Sequence, residues 1–338
     1  MANSNDLPKE MKELVVEEKA NETNWNNLPF EMKEMIIKEM NLETRTRLKL
    51  CSKSDKYLVE SIRMPFDELD CMVDKRYDKF SVKLRSSKCR AHALMVEVTS
   101  FEKGVSIIKR DQDGFREVDK FPCSKEEGEL MGPRMFESII FNRNLRFNSV
   151  KVWITCPDVF EDSEFTIHTK RIDIRAPKHQ VIQWLKNVAP GVEEVKANTY
   201  IPHSEQLEGI GNIPAVINAK KFESFSANDI NDEQLVNFNC TSIIIDGESN
   251  ITGKGINQLI KKALAGDYPK GTHIEIAVNQ RDLFQMWKDI NKGFIIDEIT
   301  QEYNNTDQVV FTGRIEMTEK KRMEYSLKKQ GFLMDILV

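Results

Sequence analysis

The sequence predicts an α+β chain in three successive parts: a short helical module near the N-terminus, a small antiparallel β region, and a longer C-terminal α/β region of recurring strand-plus-helix units. Three observations predict it. Apolar residues fall at helical spacing between Leu28 and Ile62. The period changes to two between Phe66 and Phe121. From Val150 onward, short apolar strands alternate with helical stretches. A chain of 338 residues has room for one sizeable core and one small satellite.

In the helical module, Leu28, Met32, Met35, Ile36 and Met40 share one face, and Pro29 suits the first turn, where a missing N–H costs little. Asn41-Leu42-Glu43 breaks the pattern. A second helical stretch follows, with Leu48, Cys51, Tyr57 or Leu58, and Ile62 on one side, and Pro65 ends it. In the β region, Phe80 to Leu84, Leu94 to Val98 and Val105 to Ile108 alternate apolar and polar residues. Asp111-Gln112-Asp113-Gly114 is a hairpin-turn sequence, so the region reads as an antiparallel meander. Cys123 to Gly132 reads as a polar loop. Arg134 to Phe147 reads as a helix burying Met135, Phe136, Ile139 and Ile140.

In the α/β region, strands are expected at Lys151–Ile154, Arg171–Ile174, Val192–Val195, Ser242–Ile245 and His273–Ile276. Helices are expected at His179–Val188, Asp232–Phe238 and Gly255–Ala265. Strand centres at Ile172, Val195, Phe225, Ile244 and Ile274 recur at intervals of about 20 to 30 residues, the length of a solenoid repeat. The rhythm predicts a leucine-rich-repeat-like array, with a non-repetitive α/β domain as the alternative. The stretch Val309 to Val338 reads as a closing cap: a strand at Val309–Phe311, a basic helix-like segment from Lys320 to Lys329, and a final apolar run from Phe332.

Composition excludes several classes. Lys+Arg is 49 against Asp+Glu 54, a net charge of −5, so a basic nucleic-acid-binding domain is not expected. The lack of any long apolar run argues against a membrane partner. The N-terminus has no basic region leading into an apolar stretch, and it is too acidic for a transit peptide. None of the 6 cysteines forms a Cys-x-x-Cys pair, which points to reduced thiols in a cytoplasmic or nuclear protein.

The chemistry of the chain points away from an enzyme. Ile251-Thr252-Gly253-Lys254-Gly255 lacks the spacing of a phosphate loop and reads as a turn into a helix. No two histidines stand at helical metal-ligand spacing, and no nucleophile elbow occurs. No catalytic residue, metal or cofactor is expected. Arg171, Asp173 and Arg175 alternate along one strand face and, with Glu193 and Glu275, form the candidate target-binding surface.

One segment carries more information. Leu28-Pro29-Phe30-Glu31-Met32 is followed by Ile36-Ile37, Met40 and then Leu48-Lys49-Leu50-Cys51-Ser52-Lys53, with Trp25 just ahead. This resembles the F-box, which opens Leu-Pro-x-Glu-Leu and closes on a Leu-x-x-Val/Cys-Ser/Cys-Lys/Arg stretch. Trp25 and the run Cys51 to Asp55 resemble the nematode-expanded families, whose remaining chain is an FTH-like F-box-associated domain. Arg45, where a Leu is usual, and Asp55, where many F-boxes carry an aromatic, depart from the pattern. The resemblance divides the chain into an extension (1–24), an F-box (25–65), a β-meander and helix region (66–148) and a recognition domain (149–338).

The resemblance implies a substrate receptor of an SCF-type cullin ubiquitin ligase, an adaptor rather than a catalyst. Leu28, Pro29, Met32, Ile36, Ile37, Met40, Leu48, Leu50 and Leu58 would meet a Skp-family adaptor. A protein target, such as a foreign or selfish-element toxin, would meet the C-terminal domain. The alternative is a ligase-independent scaffold that binds the same adaptor. Physics supports the docking role independently: a segment this short cannot bury all of its apolar side chains within itself. Residues Leu7 to Val16 repeat the opening of the segment at an offset of 21, and an extra helix dispensable for adaptor binding is expected there.

Overall fold

Alternation of apolar and polar side chains organises most of this chain, and the alternating strands join into one sheet. In the computed structural model the described residues are 25–40, 42–62, 67–74, 78–85, 93–101, 104–111, 114–140, 146–155, 160, 165–200, 205–266, 268–269, 271–277, 283–294, 298–303, 309–318, 321–328 and 331–337. The N-terminal partial repeat and the centre of the 111–114 turn lie outside them. The chain divides into two units, Met1–Pro65 and Phe66–Val338.

Among its described residues, the first unit holds a 3-10 turn at Trp25–Asn27, then α1 (Phe30–Glu39), α2 (Leu42–Cys51) and α3 (Lys53–Ser61). The second helical stretch expected from the sequence is thus two helices. Ser52 causes the break: its backbone is extended, and its hydroxyl accepts from the Asp55 N–H at 3.0 Å as the N-cap of α3.

The second unit opens with an antiparallel meander of β1 (Glu68–Asp74), β2 (Lys79–Arg85), β3 (Ala93–Phe101), β4 (Gly104–Asp111) and β5 (Gly114–Phe121). Helix α4 (Lys125–Ile140) follows. Then come β6 (Phe147–Ile154), β7 (Thr169–Ala176), α5 (Lys178–Lys186), β8 (Glu194–Thr199), α6 (Pro214–Ile217) and β9 (Lys221–Ser224). After these run α7 (Asp232–Asn237), β10 (Ser242–Ile245), α8 (Gly253–Leu264), β11 (His273–Ile276) and α9 (Leu283–Ile290). A closing meander is built of β12 (Glu298–Tyr303), β13 (Val309–Thr318), β14 (Lys321–Lys328) and β15 (Gly331–Leu337).

The sheet order is β12-β13-β14-β15-β11-β10-β9-β8-β7-β6-β1-β2-β3-β4-β5. Strands β6 to β11 are parallel, and each lies beside its predecessor in the chain. β1 pairs with β6 in parallel, so no boundary falls at 148/149: meander and parallel array share one sheet within the second unit. One inward row shows how the core is made. Leu69, Val150, Ile172, Val195, Phe222, Ile243, Ile274 and Met334 are register partners across eight strands, and all are buried. Each such side chain contributes about 1.5–3 kcal/mol of burial.

Three expectations are corrected here. Phe225 is not an inward strand residue. β9 ends at Ser224, Phe222 takes the inward place, and Phe225 is exposed. The helix expected from Arg134 begins earlier, at Lys125. Ser124 and Glu127 cap each other's N–H at 3.2 and 3.0 Å, so the stretch expected to be a loop is the first half of a helix. That helix ends at Ile140, and Phe147 opens β6. Its buried Phe136 joins Phe80, Phe160 and Trp184, with ring centroids 5.1 to 6.3 Å apart in the pairs it makes. A Cβ on Gly132 would lie 2.4 Å from Phe80, so only glycine allows this approach. Finally, the basic helix-like segment at Lys320 to Lys329 is the strand β14. Met323, Tyr325 and Leu327 alternate inward and outweigh the charges between them.

Candidate functional site

The first unit buries little. Ile37, Leu58, Val59 and Ile62 form its core, with Trp25, Met40 and Leu48 packed against them. In α3 the buried residues Asp55, Leu58 and Val59, with Ile62 just beyond, follow the i, i+3, i+4, i+7 spacing of one helix face. In α1, Ile37 points to this core, while Met32, Met35 and Ile36 form the opposite stripe and are 49%, 67% and 39% exposed. In α2, Leu48 faces the core. Leu50, two residues on and so turned by roughly 200°, is 83% exposed. Pro29, Phe30 and Tyr57 are also exposed, and Leu28 is half-buried.

Two polar side chains hold these helices in place. Arg45 is fully buried and donates from Nε to the Met40 carbonyl and from Nη2 to the Lys38 carbonyl, both at 3.2 Å. It satisfies the open end of α1, where carbonyls have no intrahelical donor, and burial pushes its pKa down. Asp55 accepts from the Trp25 indole N–H at 2.8 Å and from the Ser52 hydroxyl at 2.7 Å. These hydrogen bonds, the Trp25 one foremost, hold its carboxyl below the usual aspartate value. The turn before α1 is thereby tied to the start of α3.

A family model for the F-box domain matches residues 25–67. This segment is an F-box domain. No curated protein and no solved structure matches the chain. An F-box implies an adaptor-binding role.

Of the nine residues expected at the adaptor, Pro29, Met32, Ile36 and Leu50 lie on the F-box surface, and Leu28 is half-buried beside them. Ile37 and Leu58 do not: at 0% and 8% exposure they are core, because α1 and α3 bury them against each other. Met40 and Leu48 are half-buried and pack on that core. The sequence reading missed Phe30 and Tyr57 as surface residues. The two departures from the F-box pattern are structural: Arg45 caps α1, and Asp55 anchors Trp25.

The outward face of the second unit carries the other candidate residues. Arg171, Glu194 and Lys221 are register partners, and Glu194 bridges both cations at 3.8 and 3.4 Å. One row further, Lys196 pairs with Glu223 at 2.5 Å. That bond, with nearby carboxylates, raises the lysine's pKa. His273 pairs with Asp335 at 2.8 Å and stands 3.9 Å from Glu275. Arg171, Asp173, Arg175 and Glu275 all lie on this face. Glu193 does not: it precedes β8, meets Lys220 at 3.5 Å, and leaves the strand position to Glu194.

The remaining motifs are architectural. A Cβ on Gly255 would lie 2.3 Å from Asp232, whose carboxylate accepts from the Thr252 N–H and hydroxyl, both at 2.7 Å. The glycines at 253 and 255 serve packing at the start of α8. No helix among the described residues is long and apolar enough to cross a membrane.

Proposed function

We propose that the chain is the substrate-recognition subunit of an SCF-type cullin ubiquitin ligase. The F-box holds a Skp-family adaptor, which links to a cullin, and residues 66–338 hold a protein target. The protein acts by proximity rather than catalysis: tethering raises the effective concentration of target lysines near the ubiquitin carrier. One observation carries this reading. An F-box domain with its own closed core leaves Pro29, Met32, Ile36 and Leu50 on its surface, a docking stripe with no role inside the module.

The finer reading follows the sequence resemblance. The protein is a nematode-type F-box protein whose C-terminal array is leucine-rich-repeat-like and acts in the cytoplasm or nucleus. Six successive parallel strands with one continuous apolar row support the repeat character. A target of the foreign or selfish-element toxin class makes the protein an antidote.

Adaptor binding tests the proposal. Purified full-length protein is expected to bind a Skp-family adaptor in a pull-down, and the Leu28→Ala/Pro29→Ala double variant to lose it. No binding by the parent chain, or equal binding by the variant, overturns the assignment. Target turnover that persists without the cullin favours the ligase-independent scaffold.

A further inference from the structure

The outward face of the sheet is not uniform. Its N-terminal rows are self-compensated: Arg171, Glu194 and Lys221 pair, Lys196 pairs with Glu223, and Arg85 pairs with Asp70 at 2.5 Å. Towards the C-terminal ends of the strands the chemistry changes. Trp153 on β6, Arg175 on β7 and Asn198 on β8 stand side by side in register. Phe225 follows, its N–H donating to Asn198 Oδ1 at 2.8 Å. Trp153 and Phe225 are 44% and 42% exposed, while Asn198 between them is 94% buried, at 6% exposure. Two aromatic rings three strand spacings apart, roughly 14 Å, wall a trough with a polar floor.

Arg175 is exposed and has no carboxylate partner among the described residues. Its guanidinium lies 5.9 Å from the centroid of the Trp153 ring. The Asn198 Oδ1 is used by Phe225, and Nδ2 has no hydrogen-bond partner among the described residues. Adjacent strands therefore carry two side-chain donors with no acceptor among the described residues. Lys151, one row below, is exposed as well. Asp173 also stands on this face, between Arg171 and Arg175, and faces Lys196 across the register pair. Beside Trp153, its register partner Met72 lines a cavity of about 480 Å³ with Asp74, Lys79 and Thr99.

We infer that this trough is the target-recognition site, and that it seats a segment of a partner protein presenting an internal Asp or Glu side chain between apolar residues. The carboxylate meets Arg175 and Asn198, and the apolar neighbours lie on Trp153 and Phe225. Charge complementarity selects an acid: the local donors lack an acceptor, and an Arg–carboxylate contact against an aromatic wall is geometrically specific. Trp and Arg are also the residue types in which interface energy concentrates. The inference deepens the receptor reading proposed above and gives the target class its chemistry.

The test is selection of a random 12-residue peptide library, displayed as N-terminal fusions on phage so that no free C-terminus is present, on the full-length protein. The expected consensus is an Asp or Glu flanked by aromatic or aliphatic residues. A synthetic peptide of that consensus is expected to bind at least tenfold more weakly when its acid becomes the amide, and likewise to Arg175→Gln and Trp153→Ala proteins. Both substitutions are at exposed positions, and circular dichroism checks that they fold. No enrichment, a consensus without an acid, or unchanged affinity for both variants overturns the site. So does Arg175-dependent binding of a 20-nucleotide single-stranded DNA in place of peptide. The variants are expected to bind the Skp-family adaptor as the parent does. If the parent binds acidic peptide but no adaptor, the ligase reading fails alone; if it binds adaptor but selects no peptide, the trough fails alone.

Discussion

The F-box and the outward face of the large sheet expose opposite kinds of surface. The F-box turns Met32, Met35, Ile36 and Leu50 to solvent around a core that, among the described residues, has four buried apolar side chains. The sheet turns out charges, and most find a partner in the next strand, as Arg171, Glu194 and Lys221 do. A module of this size has too much surface for its volume, so some apolar residues must face outward, and a partner can use them. A sheet of fifteen described strands has one whole face for its core, and its exposed aromatics, Phe101, Phe121, Trp153 and Phe225 among the described residues, are few and scattered among charges. Surface that is apolar by necessity and surface that is apolar against the local pattern therefore need different tests.

The sharpest way to break the comparison is to separate core from stripe within the F-box. Ile37→Ala and Leu58→Ala each remove a core side chain and are expected to cost about 2–5 kcal/mol, enough to unfold so small a module. Loss of F-box helicity and of adaptor binding together checks this. If either variant stays folded, the four-residue core is not what holds the module.

The next effect concerns the tie between the ends of the F-box. Trp25→Phe removes the indole donor to Asp55 and is expected to cost about 1.5–3 kcal/mol, as for a hydrogen bond to a charged group. It also predicts a pH dependence. The folded-state pKa of Asp55 is depressed, so its contribution is full above the unfolded value near 3.8 and is lost as the pH falls through the folded value. Acid titration of F-box stability is expected to show this loss in the parent and a flattened profile in Trp25→Phe; identical profiles would remove Asp55 from the account.

Met32→Ala and Ile36→Ala, on the stripe, are expected to change stability by no more than about 0.5 kcal/mol while weakening adaptor binding about tenfold, or about 1.4 kcal/mol. Calorimetry of the same samples gives both quantities. Equal losses in stability and binding would show that the stripe belongs to the core after all.

What the sequence revealed, and what it hid, follows the same division. The helical period marked the F-box, and the strict alternation of β7 placed Arg171, Asp173 and Arg175 on one face. It failed where two periods compete. Met32, Ile36 and Ile37 are all apolar, so the sequence alone does not show that Ile37 faces inward and the other two outward. Met323, Tyr325 and Leu327 were hidden by the lysines and arginines around them. Arg45 and Asp55 were legible only as departures from a pattern, because their partners are backbone carbonyls and an indole 30 residues away. Phe225 was read one turn of the pattern too late, since Ser224 fills an inward position that an apolar residue usually takes. Asn198 carried no signal at all: its value lies in the register that sets it between Arg175 and Phe225.

The smallest effect belongs to the ladder of charges. Glu194 lies between Arg171 and Lys221, and its side chain is 32% exposed against 63% and 54% for theirs. Water screens pairs this open, and ordering two long side chains offsets much of the attraction. Glu194→Gln is therefore expected to change the stability of the second unit by about 1 kcal/mol or less, with the difference shrinking further in high salt. Urea denaturation at low and high ionic strength measures it. A loss above about 2 kcal/mol, beyond what exposed pairs contribute, would mean that the ladder helps hold the strands in register. The outward face would then be a structural seam along the ladder, and recognition would fall to exposed residues outside it, such as Trp153, Arg175 and Phe225.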